Sequence, residues 1–263
     1  MIEQMMDQLR HDDPMMRFEA AQALGASNDP RAVAPLIGAL SDENAKVQYA
    51  AVSGLVKLGD ASAAKPIIDL LLSEPDSRLW ELLKLNVGMR LRNGLLDMVQ
   101  RGDVALADQL ADVLASDMLD EQQVAFVIRL LGRTADARAV EMLIDRLLED
   151  TPTIQVAAAE ALGSIGDPSA VAPLMLFLTD DADTVREVAI EALGRLGDTR
   201  AVRPLIEALK DDAEWVRRAA CVALGVLGDR SAMEPLATAL KDETTLVQDA
   251  AFDAIKQLSE NYQ

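Results

Sequence analysis

The sequence predicts an all-α fold, a right-handed α-solenoid of about eight stacked helix pairs. The first observation is a period: Leu162, Leu193 and Leu224 follow one another at intervals of 31 residues, and Ile255 continues the series. The second is that apolar residues recur three and four positions apart, which is the spacing of one helix face. The third is that no segment alternates apolar and polar residues as a half-buried strand does. A fixed period of roughly 20–50 residues is typical of solenoids, propellers and arrays, and the helical spacing favours a helical solenoid.

The unit at 197–229 shows how each pair is built. Its first half, 200–209, has apolar residues at helical spacing and is the predicted helix A, which two aspartates end. Its second half, 214–227, is the predicted helix B. Four of its apolar residues share one face and are expected in the core: Val216, Ala220, Leu224 and Leu227. The same pattern places the B helices at 14–26, 44–58, 76–101, 120–133, 152–165, 182–196, 213–227 and 244–260.

Two residue types recur at helix A. A proline inside the helix predicts a bend, because proline removes a backbone hydrogen bond; it is found at Pro35, Pro66, Pro173, Pro204 and Pro235. An aspartate precedes the helix at Asp29, Asp60, Asp136, Asp167, Asp198 and Asp229. Its carboxylate can accept hydrogen bonds from free backbone N–H groups at the positive end of the helix dipole. Much of the acidic composition is therefore predicted to be structural.

The chain is predicted to form one solenoid domain over residues 1–263, with an irregular, longer third repeat at 61–102. The leucine series is interrupted there by one gap of 76 residues. The segment 77–103 is too long for a standard B helix. It is either one extended helix or two short helices broken near Asn86–Gly88 or Asn93–Gly94.

Composition limits the class of partner. The net charge is −19, which disfavours nucleic acid and anionic lipid, since both select basic surfaces. No apolar run approaches the ~20 residues of a membrane span, and the first residues lack the pattern of a secretory signal. The single cysteine, Cys221, excludes an internal disulfide framework and fits a reducing compartment. A cytoplasmic location is therefore expected.

The repeated motif resembles the HEAT-like repeat of the phycobilin lyase subunits. From the B helix of the sixth repeat into the A helix of the seventh, it is carried by Asp180, Asp181, Val185, Arg186, Ala189, Leu193, Gly194, Leu196, Gly197, Asp198, Ala201, Val202, Pro204 and Leu205. The resemblance implies that helix A lies on the convex side and helix B on the concave side. It also implies that Arg at the position of Arg186 pairs with the Asp of a neighbouring turn. That position holds Arg17, Arg186 and Arg217 but Gln48, Gln155 and Gln248, so the ladder is expected to be partial.

Residues that could carry chemistry are few. The single histidine, His11, stands near a turn beside two aspartates, a setting typical of a solvated surface residue. Cys221 has apolar neighbours and no histidine near it in sequence, which is typical of a packing residue. The sequence therefore predicts no catalytic residue, no metal site and no resident cofactor.

Two groups of residues are candidates for binding a partner. On the helix B face opposite the core, the seventh repeat carries Trp215, Arg218 and Val222, and the first two repeats carry Phe18 and Tyr49. These residue types are enriched in binding hot spots. The alternative is that Phe18 closes the N-terminal cap and that Trp215 packs between repeats.

The irregular segment 77–103 provides the second group. Basic residues outnumber acidic ones there, in a chain that is otherwise acidic. Its candidates are Trp80, Arg90 and Arg92. The alternative is that the segment covers a gap in the stack and buries its leucines.

These observations predict a non-catalytic protein-binding scaffold or adaptor that uses the concave face, with a protein partner that has a basic surface. The resemblance implies an alternative, a phycobilin lyase-like subunit or chaperone that assists bilin attachment to, or removal from, a phycobiliprotein. Under that alternative a bilin is bound, a phycobiliprotein is the partner, and any enzymatic role is that of a lyase accessory subunit.

Overall fold

The computed structural model of the chain describes residues 2–73, 86–101, 106–115, 119–149 and 151–260. Within these ranges every regular element is helical, and no strand is present. The A helices are α1 (Ile2–Gln8), α3 (Val33–Ala39), α5 (Ala64–Ser73), α7 (Ala107–Leu114), α9 (Val140–Glu149), α11 (Val171–Leu176), α13 (Val202–Ala208) and α15 (Met233–Ala239). The B helices are α2 (Pro14–Ala26), α4 (Ala45–Leu58), α6 (Asn86–Arg101), α8 (Glu121–Arg133), α10 (Pro152–Ile165), α12 (Asp183–Leu196), α14 (Glu214–Leu227) and α16 (Thr245–Glu260). The predicted all-α solenoid fold is confirmed, and its helices follow one another in the predicted A and B order.

The chain forms two compact units, Met1–Leu119 and Asp120–Gln263. In the first unit, α2 packs against α4, and α4 packs against α6. In the second unit, α8, α10, α12, α14 and α16 pack side by side in that order. The A helices α9, α11, α13 and α15 each pack against the B helix that follows them. Each unit is therefore built mainly of stacked helix pairs, while the fourth pair has α7 in the first unit and α8 in the second. The continuity of one solenoid through the third repeat stays a prediction.

The repeating leucines form the core of both units. They are fully buried at Leu24, Leu55, Leu131, Leu162, Leu193 and Leu224. The last member of the series, Ile255 on α16, is only half-buried. Burial of one leucine in each repeat explains why the 31-residue period is the strongest signal in the sequence.

The turns between repeats have one construction. Four B helices end at a glycine with positive φ, which avoids the strain that a side chain would cause there: Gly59, Gly166, Gly197 and Gly228. The aspartate that follows accepts a hydrogen bond from the backbone N–H two residues on, as Asp167 does from Ser169 at 2.8 Å. All six predicted aspartates cap a 3₁₀ turn in this way. Their predicted structural role is confirmed.

The recurring prolines lie at the third residue of their α-helices, just after the 3₁₀ turn, as Pro204 does in α13. The N–H groups of the first turn of an α-helix have no acceptor within it, so proline removes no α-helical hydrogen bond there. A bend was expected because these prolines were predicted to lie deep inside helix A. They lie in its first turn instead. They mark the change from the 3₁₀ turn to the α-helix.

The third repeat departs from the others. Its B helix, α6, begins at Asn86 and runs through Asn93 and Gly94 without interruption, so the alternative of a break at Asn93–Gly94 is excluded. Residues 77–85 lie outside the described residues. A Cβ added to Gly94 would lie 2.2 Å from the Cγ1 methyl group of Val56 on α4. Glycine is therefore needed at position 94 for α6 to pack on α4.

Close approach of the B helices depends on small residues throughout. A Cβ added to Gly25 on α2 would lie 2.4 Å from the Cα of Gly54 on α4. In the second unit a glycine faces an alanine 29 residues later in each successive pair: Gly132 and Ala161, Gly163 and Ala192, Gly194 and Ala223, Gly225 and Ala254. This row of contacts fixes the spacing of the B helices.

We expect Gly25→Ala to lower the free energy of unfolding by about 1–3 kcal/mol, because the new methyl group would force two backbones apart. Gly38→Ala is the matched control. Gly38 is exposed in α3, and an added Cβ would meet nothing within 4 Å, so this change should stabilise the protein by about 0.4–1 kcal/mol. Urea unfolding followed by circular dichroism checks both. Equal midpoints for the two variants would show that α2 and α4 are not in this close contact.

Candidate binding face on the B helices

The B face is defined here as the side of each B helix turned away from its own A helix. In α14 it carries Trp215, Val222 and Val226, whose exposed fractions are 51%, 47% and 52%. Arg218 lies between them and is half-buried. On the opposite side of the same helix Val216, Ala220 and Leu224 are fully buried. The predicted facing of helix B is confirmed for α14 at these three residues, while Leu227, also expected in the core, is only half-buried.

A groove of about 280 Å³ runs between α12 and α14 on this face. Its floor consists of the small residues that let the two helices approach: Gly194, Ala219 and Ala223. Its walls are formed by Val222 and Val226 on one helix and by Glu191 and Arg195 on the other, with Arg218 beside them. The groove is therefore apolar at its base and charged at its rim.

One carboxylate, that of Glu191, lines this groove, and further carboxylates lie on the helices beside α14. Burial raises the pKa of Glu187 on α12, and repulsion from Glu191 adds to the increase, while Arg218 lowers that pKa without offsetting it. Glu191 forms an ion pair with Arg195 at 3.4 Å. On α16, Asp249 and Asp253 are exposed and occupy the repeat positions that Arg218 and Val222 have on α14. The B face of α14 is thus an apolar stripe between two acidic helices.

The other predicted site residues lie in the first unit. Phe18 on α2 and Tyr49 on α4 are half-buried. Both are therefore less exposed than predicted for the face of helix B opposite the core. Trp80 lies outside the described residues. Arg90 and Arg92 lie within α6, and their side chains are not among those described. As binding residues, all eight candidates stay predictions.

The sequence reading missed several exposed apolar residues. Phe252 on α16 is 62% exposed, although its equivalent one repeat earlier, Cys221 on α14, is fully buried. No described helix follows α16 to cover it. The available signal was a phenylalanine at a position that elsewhere holds alanine, valine, isoleucine or cysteine. Leu176 and Leu148, on the A helices, are also exposed.

Three arginines of the B helices are structural. Arg217 donates from Nε and Nη2 to the two carboxylate oxygens of Asp242, at 2.8 and 3.0 Å. Its Nη1 donates to the backbone oxygens of Asp211 and Asp212 at 2.8 and 3.0 Å. Arg217 is buried and Asp242 is largely covered, with side-chain exposures of 8% and 12%. The arginine therefore links the turn of its own repeat to the turn of the next repeat.

The same link recurs where the sequence has arginine. Arg17 pairs with Asp42, and Arg186 pairs with Asp211, both with two hydrogen bonds of 3.0 Å or less. Where glutamine replaces it, Gln248 keeps only the contact within its own repeat and donates to the backbone oxygen of Asp242 at 2.7 Å. The partial ladder implied by the resemblance is confirmed.

Acid should destabilise the fold through its capping aspartates. The pKa of Asp198 is lowered by hydrogen bonds from the side chain and the backbone N–H of Arg200. The pKa of Asp60 is lowered by hydrogen bonds from the side chain and the backbone N–H of Ser62. The other four turn aspartates are shifted in the same direction. A carboxyl with a lowered pKa binds fewer protons folded than unfolded, so its stabilisation is present above the usual pKa near 4 and is lost below it.

We therefore expect the melting temperature to change little from pH 7 to about 4.5 and to fall steeply between about pH 4 and pH 2. Glu187 has a raised pKa, so its protonation favours the folded state as pH falls. It is one group against the six aspartates. Thermal unfolding by circular dichroism across this range is the measurement. A melting temperature that kept rising below pH 4 would contradict it and would indicate that relief of the net negative charge dominates.

The described residues offer little for catalysis. Cys221 is fully buried, and burial raises the pKa of its thiol to about 12, so the nucleophilic thiolate is absent near neutral pH. His11 accepts a hydrogen bond at Nδ1 from the backbone N–H of Asp13 at 3.0 Å. No group of three or more His, Cys, Asp or Glu side chains in the described part of the chain is placed to hold a metal ion. Among these same residues, none of the helices has the length and apolar character needed to span a bilayer.

Comparison with known families identifies the repeat. A profile of HEAT repeats matches residues 2–83, 107–193 and 176–256. The chain belongs to the HEAT-repeat family. Solved structures similar to this HEAT-repeat protein include an engineered protein, with a TM-score of 0.54, 20% identity and coverage of 98% of this chain and 78% of that one. The protein YIBA_ECOLI is similar with a TM-score of 0.51, 18% identity and coverage of 97% and 92%. At these identities the likeness concerns the fold alone.

One curated relative shares a short segment with this HEAT-repeat protein. It is the bilin biosynthesis protein PecE of Nostoc sp. (strain PCC 7120), which is 39% identical over 72 residues. The match covers 26% of this chain and 28% of PecE. The chain thus spans little more than a quarter of that relative's length.

Proposed function

We propose that this HEAT-repeat protein is a non-catalytic scaffold that binds a partner protein on the B face of its second unit. The observation that carries the proposal is the exposure of Trp215, Val222 and Val226 along one side of α14. Tryptophan and its apolar neighbours lose water contact on binding, and tryptophan and arginine are the residue types most enriched in interface hot spots. Arg218, half-buried at the rim of the groove, supplies a directional donor beside them.

The surrounding core supports a rigid presentation of this stripe. The helix that carries it, α14, packs between α12 and α16, and its core side is fully buried. A partner would therefore meet preformed side chains on a regular element, which reduces the entropy lost on binding.

We expect the double substitution Trp215→Ala, Arg218→Ala to weaken capture of the native partner by tenfold or more, since a hot-spot residue contributes ~2 kcal/mol or more. The measurement is quantitative affinity capture from the native extract with wild-type and variant protein, identified by mass spectrometry. Leu176→Ala with Glu207→Ala, two exposed residues on A helices, is the matched control and should leave capture unchanged. Wild-type capture by the Trp215 variant, together with loss of capture in a variant altered at 78–92, would place the binding surface in the third repeat instead.

The second candidate is a role in bilin attachment or removal. It is favoured by the 39% identity of one segment to a bilin biosynthesis protein. Under this candidate the ligand is a bilin and the partner a phycobiliprotein. Incubation of the purified chain with a free bilin tests it: a stoichiometric shift of the bilin absorption band supports the candidate, and an unchanged spectrum at saturating protein, with and without a phycobiliprotein subunit, rejects it.

A further inference from the structure

The apolar stripe on α14 has the dimensions of a helix-binding site. Trp215, Val222 and Val226 are separated by seven and four positions, so they lie on one side of the helix over about 16 Å. That length corresponds to three turns of a second helix. The groove beside the stripe, about 280 Å³ in volume, has room for side chains but is too small to enclose a folded domain.

The chemistry of this face favours a helix over an extended strand as its occupant. Backbone N–H and C=O groups in the middle of α12, α14 and α16 are already paired within their own helices. A bound strand would find no backbone partners there, and its own polar groups would lose water without compensation. A helix satisfies its backbone internally and can place an apolar stripe on the surface.

The charges around the stripe determine which sign of charge a partner needs beside it. Glu187 and Glu191 lie on α12, and Asp249 and Asp253 lie on α16, so carboxylates flank the stripe on both sides. On the B face between α8 and α10, by contrast, the carboxylate of Glu160 is paired with Arg129 at 2.6 Å. Among the described side chains, Glu187, Asp249 and Asp253 form no ion pair. Arg195, Arg218 and Lys256 offset only part of this charge, and the whole chain carries −19.

We propose that the B face of α12, α14 and α16 binds a basic amphipathic helix of the partner protein, with apolar residues on the stripe and lysine or arginine beside the flanking carboxylates. The inference rests on the proposed protein-binding function and names the class of partner. Complementary charge on both sides of an apolar stripe favours such a helix and disfavours an acidic one.

The test uses the full chain and a synthetic probe. The probe is a fluorescein-labelled 18-residue peptide of leucine and lysine, with leucine at the spacing of one helix face. One control peptide has glutamate in place of every lysine, and a second has the probe's composition with the leucines scattered around the helix. Fluorescence anisotropy at two salt concentrations measures the three affinities. The probe should bind at least tenfold more tightly than either control peptide.

Variants localise the binding. Trp215→Ala with Val222→Ser should weaken binding of the probe at least tenfold, and Glu187→Gln with Asp249→Asn should weaken it about threefold and reduce its salt dependence. Glu141→Gln with Glu234→Gln makes the same change of charge on exposed A-helix residues and should have no effect beyond a small uniform one. Far-ultraviolet circular dichroism confirms that each variant keeps its helical content.

Three results overturn the inference: equal binding of the scattered peptide, equal or tighter binding of the acidic peptide, or unchanged binding by the Trp215 variant. These results are separable from failure of the proposed function. Capture of the native partner that depends on Trp215 and Arg218, without preference for the basic helical probe, removes the inference and leaves the scaffold function in place.

Discussion

Leu193→Ala is expected to lower the free energy of unfolding of the second unit by about 2–5 kcal/mol. Leu193 lies on α12, fully buried, and α12 packs between α10 and α14. Neighbours on both sides limit how far the structure can collapse into the space left by the removed methyl groups. The cost is therefore the lost burial of the side chain plus that of a cavity.

Glu191→Ala provides the control two positions away on the same helix. Its side chain is partly exposed and pairs only with Arg195 on the same helix, at 3.4 Å. Such exposed pairs contribute roughly 0.3–0.5 kcal/mol, so the change should be small. Denaturant unfolding monitored by circular dichroism compares the two. Similar midpoints for Leu193→Ala and Glu191→Ala would refute the assignment of the core side of α12.

The sequence predicts the repeat unit well because most repeats use the same physical devices. The leucine series identifies the core, the aspartates identify the starts of the A helices, and the positions of Arg17 and Gln248 distinguish complete from partial links between turns. Each of these signals recurs at a fixed position, so a chance match at one repeat is corrected by the others. The third B helix, for which the sequence left one long helix and two short helices as alternatives, is the one that departs from the period.

The candidate site is less predictable because it depends on how repeats lie beside one another. The exposed row of α14 follows from helical spacing, so Trp215 and Val222 could be named. The groove at Gly194 could not, since it exists only because α12 and α14 lie close together. The raised pKa of Glu187 likewise depends on burial and on carboxylates whose distances a sequence does not give. The exposure of Phe252 reflects the lack of a covering helix among the described residues, not its own repeat position.

The link between Arg217 and Asp242 should be the most sensitive polar contact of the second unit. We expect Arg217→Ala to lower the free energy of unfolding by about 3 kcal/mol, near the lower end for a broken buried pair. Asp242 would stay buried without the guanidinium, although it would keep its hydrogen bond from the backbone N–H of Thr244 at 3.0 Å. The backbone oxygens of Asp211 and Asp212 would also lose their donor.

Two further variants separate these contributions. Arg217→Gln can restore the bond to the turn of its own repeat, as Gln248 shows in the next one, so its cost should fall between those of wild type and Arg217→Ala. Arg217→Ala combined with Asp242→Ala should cost less than the sum of the single changes, because neither charge is then left alone. The control is Lys210→Ala, which removes an exposed ion pair with Glu207 and should lower the free energy of unfolding by under ~1 kcal/mol.

The dependence of this cost on pH tests its electrostatic origin. The hydrogen bond from Arg217 lowers the pKa of Asp242, so the pair stabilises the fold above the usual aspartate pKa and stops doing so once pH falls below the lowered value. The difference in unfolding free energy between wild type and Arg217→Ala should therefore be full at pH 7 and shrink steadily below about pH 4. Urea unfolding of both proteins at pH 7, 4 and 3 measures it. A difference that stays constant over this range would mean that Arg217 contributes through the packing of its aliphatic stem and not through its charge.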